Sequence, residues 1–69
     1  MKPVELLRRL TRIATSRGWE IVVTEGRGHT KVRCNGRRSA IPRHASDIKS
    51  GTLHAILKQL DLTKDDLEI

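Results

Sequence analysis

The chain has 69 residues, which is enough for one domain and too few for two, since domains typically run to roughly 100 residues or more. Fourteen Lys and Arg residues against eight Asp and Glu residues give a net charge of +6, which favours an anionic partner over an enzyme with an acidic pocket. The single cysteine excludes an internal disulfide, and no apolar run approaches the roughly 20 residues that span a bilayer.

A small core without disulfide bonds is typical of a reducing compartment, so we expect a cytoplasmic protein that does not insert into membranes. The charges are unevenly distributed along the chain. Residues 26–46 contain six cations and no acid, whereas half of the eight acids lie in the last nine residues. One surface is therefore expected to be strongly positive, and composition alone leaves open whether it binds nucleic acid or is simply solvated.

The first element is predicted by apolar residues at helical spacing. The apolar face consists of Val4, Leu6, Leu7, Leu10, Ile13 and Ala14. Pro3 suits the first turn of such a helix and Gly18 suits its end. The outer face carries Arg8, Arg9 and Arg12, which are more typical of solvated charges than of phosphate contacts.

Alternating β-branched residues then predict a strand from about Trp19 to Glu25, which Gly26-Arg27-Gly28 interrupts. Two further strands, over residues 29–34 and 37–42, are joined by Asn35-Gly36, the strongest short hairpin signal because both residues tolerate positive φ. The sequence thus predicts a three-stranded antiparallel sheet.

The two-residue turn fixes which residues of this hairpin share a face. It places Val32 opposite Ser39 and Thr30 opposite Ile41 on the side that faces the helices. Because side chains alternate along a strand, the opposite, open face is expected to carry His29, Lys31, Arg33 and Arg38.

A second amphipathic helix is predicted by Leu53, Ile56, Leu57 and Leu60, and it begins in the region of residues 50–52. Residues 63–66 resemble a capping sequence for a last helical turn that reaches Leu67. The predicted fold is therefore α+β, in the order α-β-β-β-α, with both helices on one face of the sheet.

This element order occurs in double-stranded RNA-binding domains and in HicA toxins, and three stretches resemble HicA toxins in particular. They are Gly18-Trp19, Gly26-Arg27-Gly28-His29, and Ile41-Pro42-Arg43-His44 followed by Lys49-Ser50-Gly51-Thr52-Leu53 and Ile56-Leu57-Lys58-Gln59. The resemblance covers nearly all of the chain after Thr11, and it rests on the order and spacing of the three stretches together. We therefore expect a single HicA-like domain over residues 1–69.

The resemblance implies the toxin of a type II toxin-antitoxin system, a ribosome-independent endonuclease of messenger RNA. It further implies a HicB-type antitoxin that covers the catalytic histidine, which the matching motif identifies as His29. In the family this histidine follows a glycine-serine pair and precedes an aromatic residue on the same strand. Here Gly28 occupies the serine position and Val32 stands where an aromatic residue is usual.

RNA can be cleaved without a metal or another cofactor, and the scattered acids and the lack of zinc-ligand spacing lead us to expect none. The ribose 2′-hydroxyl can attack the adjacent phosphate if a base removes its proton and cations stabilise the developing charge. Histidine, with an unperturbed pKa of about 6.5, suits this proton transfer. We expect His29 to be the general acid or base. The expected ligands of the RNA phosphates are Lys31, Arg33, Arg38, Arg27 and Arg43.

Several roles stay open at this point. His44 is a candidate second proton carrier or a cap of the loop before the second helix, and Trp19 stacks a base or packs in the core. His54, on the outer face of the second helix, reads as a surface residue. Two other functions compete with the nuclease: a non-catalytic double-stranded RNA-binding module, disfavoured because Lys49 stands without a lysine cluster, and a protein-binding adaptor or antitoxin-like regulator that uses the sheet face.

Overall fold

A computed structural model describes residues 1–68, and these residues form a helix, three strands and a second helix. The elements are α1 (Pro3–Arg17), β1 (Ile21–Glu25), β2 (His29–Cys34), β3 (Arg37–Pro42) and α2 (Ser50–Gln59). This confirms the predicted order α-β-β-β-α. The predicted domain extends one residue further, to Ile69, which lies outside the described residues. Neither helix is long and apolar enough to cross a membrane.

The strands form one antiparallel sheet in the order β1-β2-β3. Asn35 (φ 54°) and Gly36 (φ 77°) both adopt the left-handed backbone that a two-residue hairpin turn requires. The turn sets the predicted register, with Val32 opposite Ser39 and Thr30 opposite Ile41. The residues of β2 and β3 that share each face of the sheet, on which the site depends, are therefore those that the sequence predicted.

Both helices contribute to a single core on one face of the sheet. Burial alternates strictly along β2, where Thr30, Val32 and Cys34 are buried and the residues between them are exposed. Val32 and Cys34 belong to the same buried cluster as Leu10 of α1 and Leu57 of α2. Val32, where the resemblance leads to the expectation of an aromatic residue, is thus a core position and is 2% exposed.

The end of α1 shows why β1 begins at Ile21 rather than at the predicted Trp19. Gly18 adopts a left-handed conformation (φ 69°), and the backbone N–H of Trp19 donates to the carbonyl of Ala14 at 2.8 Å. Together with the bond from Gly18 N–H to Thr15 O this is a Schellman motif. The Trp19 N–H thus bonds to the end of the helix and not to a neighbouring strand. The half-buried Trp19 side chain packs against the core.

The acidic C-terminal segment closes against α1. Thr63 and Asp66 form the predicted capping box, in which each side chain accepts a bond from the other residue's backbone N–H (2.8 and 3.3 Å). The Asp66 carboxylate also pairs with the Arg17 guanidinium at 2.6 Å, and this bond is the main reason that the pKa of Asp66 lies below its ordinary value. The last turn thereby brings Leu67 into the core, where it is 2% exposed.

We expect Asp66→Asn to lower stability at neutral pH but not in acid. Asparagine keeps an oxygen that accepts bonds from Thr63 and removes the charge paired with Arg17. Because the folded-state pKa lies below the ordinary 3.8, the charge stabilises the fold above that pH, and this contribution is lost as the pH falls through the lowered pKa. Urea unfolding at neutral pH and well below 3.8 measures the difference. Asp65→Asn, whose exposed carboxylate forms no ion pair within residues 1–68, is the control, and a difference that persists in acid would contradict the assignment.

Candidate active site

The open face of the sheet carries the predicted catalytic and cationic side chains of β2. His29, Lys31 and Arg33 occupy alternate positions, and all three are exposed. Alternate residues of a strand lie about 7 Å apart, so the histidine stands at one end of a short row of cations. The structure thus brings these three residues together as their spacing predicted.

The neighbouring strands complete this face. Arg38 lies directly opposite Arg33, and β1 places Val22 and Thr24 opposite Arg33 and Lys31. Together with Ala40, these side chains belong to the lining of a shallow groove, which also includes Val32, Ser39 and, from α2, Gln59. The groove combines three cations with an apolar floor, which suits a ligand that has both phosphates and flat apolar groups. Val22 and Thr24 were not among the predicted site residues.

The cations of this face are at most weakly paired with carboxylates of the described residues. Among residues 1–68, no carboxylate forms an ion pair with Arg27, Lys31 or Arg38. Arg33 Nη2 lies 3.8 Å from Glu20 Oε1, but both side chains are exposed, and the attraction within such an exposed ion pair is weak. The open face is therefore a region of positive potential that attracts polyanions, and Arg27 is exposed in the turn before β2.

A tight turn places His29 at the start of β2. The Gly26 N–H donates to the His29 carbonyl at 2.9 Å and so closes the hairpin between β1 and β2. A Cβ on Gly26 would lie 2.8 Å from that carbonyl oxygen, closer than side chains tolerate. Gly26 thus permits the close approach, whereas the space beside Gly28 is open.

The segment after β3 packs against this turn. Arg43 pairs with Glu25 at 3.1 Å and donates from Nη1 to the Gly26 carbonyl at 2.6 Å. His44 Nε2 lies 3.0 Å from the Arg27 carbonyl. The structure therefore places Arg43 and His44 beside the turn rather than in the row of cations on β2. Their expected roles in phosphate binding and proton transfer stay predictions.

The remaining candidate residues lie away from the open face. The Arg17 guanidinium carbon sits 5.0 Å from the centre of the half-buried Trp19 ring, so this ring is already stacked by the protein itself. His54 is exposed on α2. Burial raises the pKa of Cys34, which is 2% exposed, as is typical of a structural thiol. Within residues 1–68, no three His, Cys, Asp or Glu side chains are grouped so as to hold a metal ion.

Comparison with known proteins identifies similar sequences and a similar structure. Residues 7–62 match a family model described as the HicA toxin of bacterial toxin-antitoxin systems. The chain is 52% identical over 42 residues to the probable mRNA interferase toxin HicA of Escherichia coli strain K12, an alignment that covers 59% of this chain and 72% of that protein. It is 46% identical over 43 residues to the probable mRNA interferase HicA 1 of Photorhabdus laumondii, covering 61% and 75%.

The fold is similar to a chain in the crystal structure of the E. coli HicAB toxin-antitoxin complex, with a TM-score of 0.56 and 45% sequence identity. This alignment covers 78% of the present chain and 93% of that chain. The family match includes the whole sheet, α2 and most of α1, so it contains both the open face and the turn before His29.

Proposed function

Because the chain belongs to the HicA toxin family, we propose that it is an endoribonuclease that cleaves messenger RNA with His29 as its catalytic residue. One observation carries the proposal: His29 lies exposed at the end of a row of exposed cations, on the open face of the sheet. The relatives named mRNA interferases support the same substrate.

The proposed reaction uses the ribose 2′-hydroxyl as the nucleophile and needs no metal. The 2′-oxygen attacks the adjacent phosphorus as its proton passes to a base, the bond to the 5′-oxygen breaks, and that oxygen takes up a proton. The products are a 2′,3′-cyclic phosphate and a 5′-hydroxyl. His29 is the general acid or base of this exchange, because its exposed imidazole has ring nitrogens that can accept or donate a proton within reach of a substrate.

The cations have two tasks in this proposal. Lys31, Arg33 and Arg38 bind the phosphate that is cleaved or its neighbour, and they stabilise the extra negative charge of the transition state. Arg27, in the turn, extends the positive surface beyond His29. Val22 and Ala40 in the floor of the groove offer apolar contacts for ribose or base.

The proposed regulator is a HicB-type antitoxin that covers the His29 face. The similar solved structure is a toxin-antitoxin complex, which supports a partner of this kind. A protein that presents acidic side chains to Lys31, Arg33 and Arg38 would compete with RNA for the same charges, and it would keep substrate from His29.

We expect RNA cleavage to persist in excess chelator and to depend on a single 2′-hydroxyl. The substrate is an RNA oligonucleotide with one mapped cleavage site, compared with the same oligonucleotide carrying one 2′-deoxy nucleotide immediately 5′ to the scissile phosphate. Removing that hydroxyl removes the nucleophile, so cleavage at the site should be lost. The product ends, analysed by mass spectrometry, should include a cyclic phosphate.

The matched control carries the deoxy nucleotide one position further along and should be cut normally. Cleavage at the substituted site, equal cutting of DNA, or a strict requirement for a divalent metal would each overturn the mechanism. Tight binding of duplex RNA without cleavage would instead support the non-catalytic double-stranded RNA-binding module.

A further inference from the structure

The segment that follows β3 holds all three carbonyls of the turn that precedes His29. Gly26 O accepts from Arg43 Nη1 at 2.6 Å, and Gly28 O accepts from the Arg43 backbone N–H at 3.1 Å. Between them, Arg27 O is bonded by His44 Nε2 at 3.0 Å. Arg43 and His44, here called the bracket, thus satisfy every carbonyl of a turn that is otherwise exposed or half-buried.

Apart from the bond from Gly26 N–H to the His29 carbonyl, the bracket supplies the contacts that hold the turn. Two of its three residues are glycines, which have the greatest conformational freedom to lose, and neither has a side chain to pack. The Arg43 side chain is itself held in place, because it pairs with Glu25. The Glu25 carboxylate also accepts a hydrogen bond from Thr30 at 3.1 Å. The segment after β3 therefore helps to fix the backbone position of His29, in addition to the pairing of its own strand.

The chemistry of the His44 contact fixes which atom carries a proton. A backbone carbonyl oxygen can only accept a hydrogen bond, so His44 Nε2 must be the donor. If Nε2 gave that proton to a substrate, the bond to Arg27 O would be lost, and the middle carbonyl of the turn would no longer be held. The same nitrogen cannot both hold the turn and act as a proton carrier in each catalytic cycle.

We infer that His44 is a positioning residue that orients His29 through the bond from its Nε2 to the Arg27 carbonyl. The inference rests on the proposed function, in which His29 is the catalytic residue. It assigns His44 a task that needs a hydrogen-bond donor at one point in space and no change of protonation state. A neutral side chain that places an N–H at the same point should therefore replace it.

The test compares three substitutions of His44 in RNA cleavage. Glutamine reaches about as far as Nε2 and donates from its amide, alanine donates nothing, and asparagine carries the same amide one methylene too short. His44→Ala and His44→Asn should lower kcat on the order of 10- to 100-fold with KM nearly unchanged, because a small displacement of a catalytic group has effects of this size. His44→Gln should stay within a few-fold of the wild type, whereas a proton carrier would be lost equally in all three variants.

A second measurement does not depend on cleavage. The Gly26 amide donates across the turn to His29 O, and its hydrogen exchange, followed by NMR, reports whether the turn is held. Exchange should accelerate at least several-fold in His44→Ala and His44→Asn but not in His44→Gln. His54→Ala, which removes an exposed histidine from α2, is the control and should match the wild type in both measurements.

The outcomes separate the inference from the proposed function. If the wild type does not cut RNA, or if His29→Ala cuts it normally, the proposed function fails, and Gly26 exchange alone decides whether the bracket holds the turn. Equal loss of activity in the glutamine and alanine variants would overturn the positioning role. So would an alanine variant with wild-type kcat, or unchanged Gly26 exchange in all three variants.

Discussion

His29→Ala is expected to reduce RNA cleavage on the order of 100- to 10,000-fold, the usual size of a general acid or base contribution. The cations of the open face, Lys31, Arg33 and Arg38, can still bind phosphate, but the imidazole that transfers the proton is gone. RNA affinity should therefore change little while kcat falls. Single-turnover cleavage and binding to an uncleavable 2′-deoxy oligonucleotide measure the two quantities separately.

Unfolding of the same variant shows whether the loss is chemical or structural. The His29 side chain is exposed and forms no hydrogen bond within residues 1–68, so its removal should alter the free energy of unfolding by no more than about 0.5 kcal/mol. His54→Ala removes a second exposed imidazole and should leave cleavage unchanged. Near wild-type cleavage by His29→Ala would remove this residue from the mechanism. A large loss of stability would instead mean that the residue supports the fold.

The hairpin of β2 and β3 could be predicted from the sequence because its turn residues and strand pattern were compatible with only one arrangement. Asn35-Gly36 allows a two-residue turn with positive φ at both positions, and that turn leaves only one pairing of the flanking strands. The alternation of His29, Lys31 and Arg33 then follows without further information. The start of β1 was less determined, because Trp19 continues the alternation of Ile21 while its backbone closes α1.

The rest of the site depends on register that the sequence does not fix. Both faces of β1 carry valine, and Val22 and Val23 are 38% and 44% exposed, so alternation does not show which of them lies beside Lys31 and Arg33. The turn between β1 and β2 contains two glycines and is compatible with several pairings. Arg43 and His44 follow the end of β3, where side-chain direction is no longer periodic. The register of the hairpin places them just beyond the pair of His29 and Pro42, but it does not show which atoms their side chains contact there.

Gly26→Ala is expected to destabilise the protein by about 1–3 kcal/mol, the usual cost of inserting a methyl group into a packed position. The new Cβ would lie 2.8 Å from the His29 carbonyl oxygen, and this oxygen belongs to the backbone and cannot rotate away. Relief requires opening the 2.9 Å bond between Gly26 N–H and that carbonyl. Since each kcal/mol shifts the melting temperature of a domain of this size by roughly 4–8 °C, thermal unfolding will show the effect.

The same substitution should also reduce RNA cleavage in the fraction that remains folded, because the group displaced by the new methyl is the backbone of His29 itself. Gly28→Ala is the matched control. It lies in the same turn, its backbone is not left-handed, and nothing lies within 4 Å of an added Cβ, so its stability should be unchanged or slightly raised by the lower entropy of the unfolded chain. Equal effects of the two substitutions would show that the turn responds to any loss of glycine. The close approach of Gly26 to His29 would then not be what sets the position of the catalytic residue.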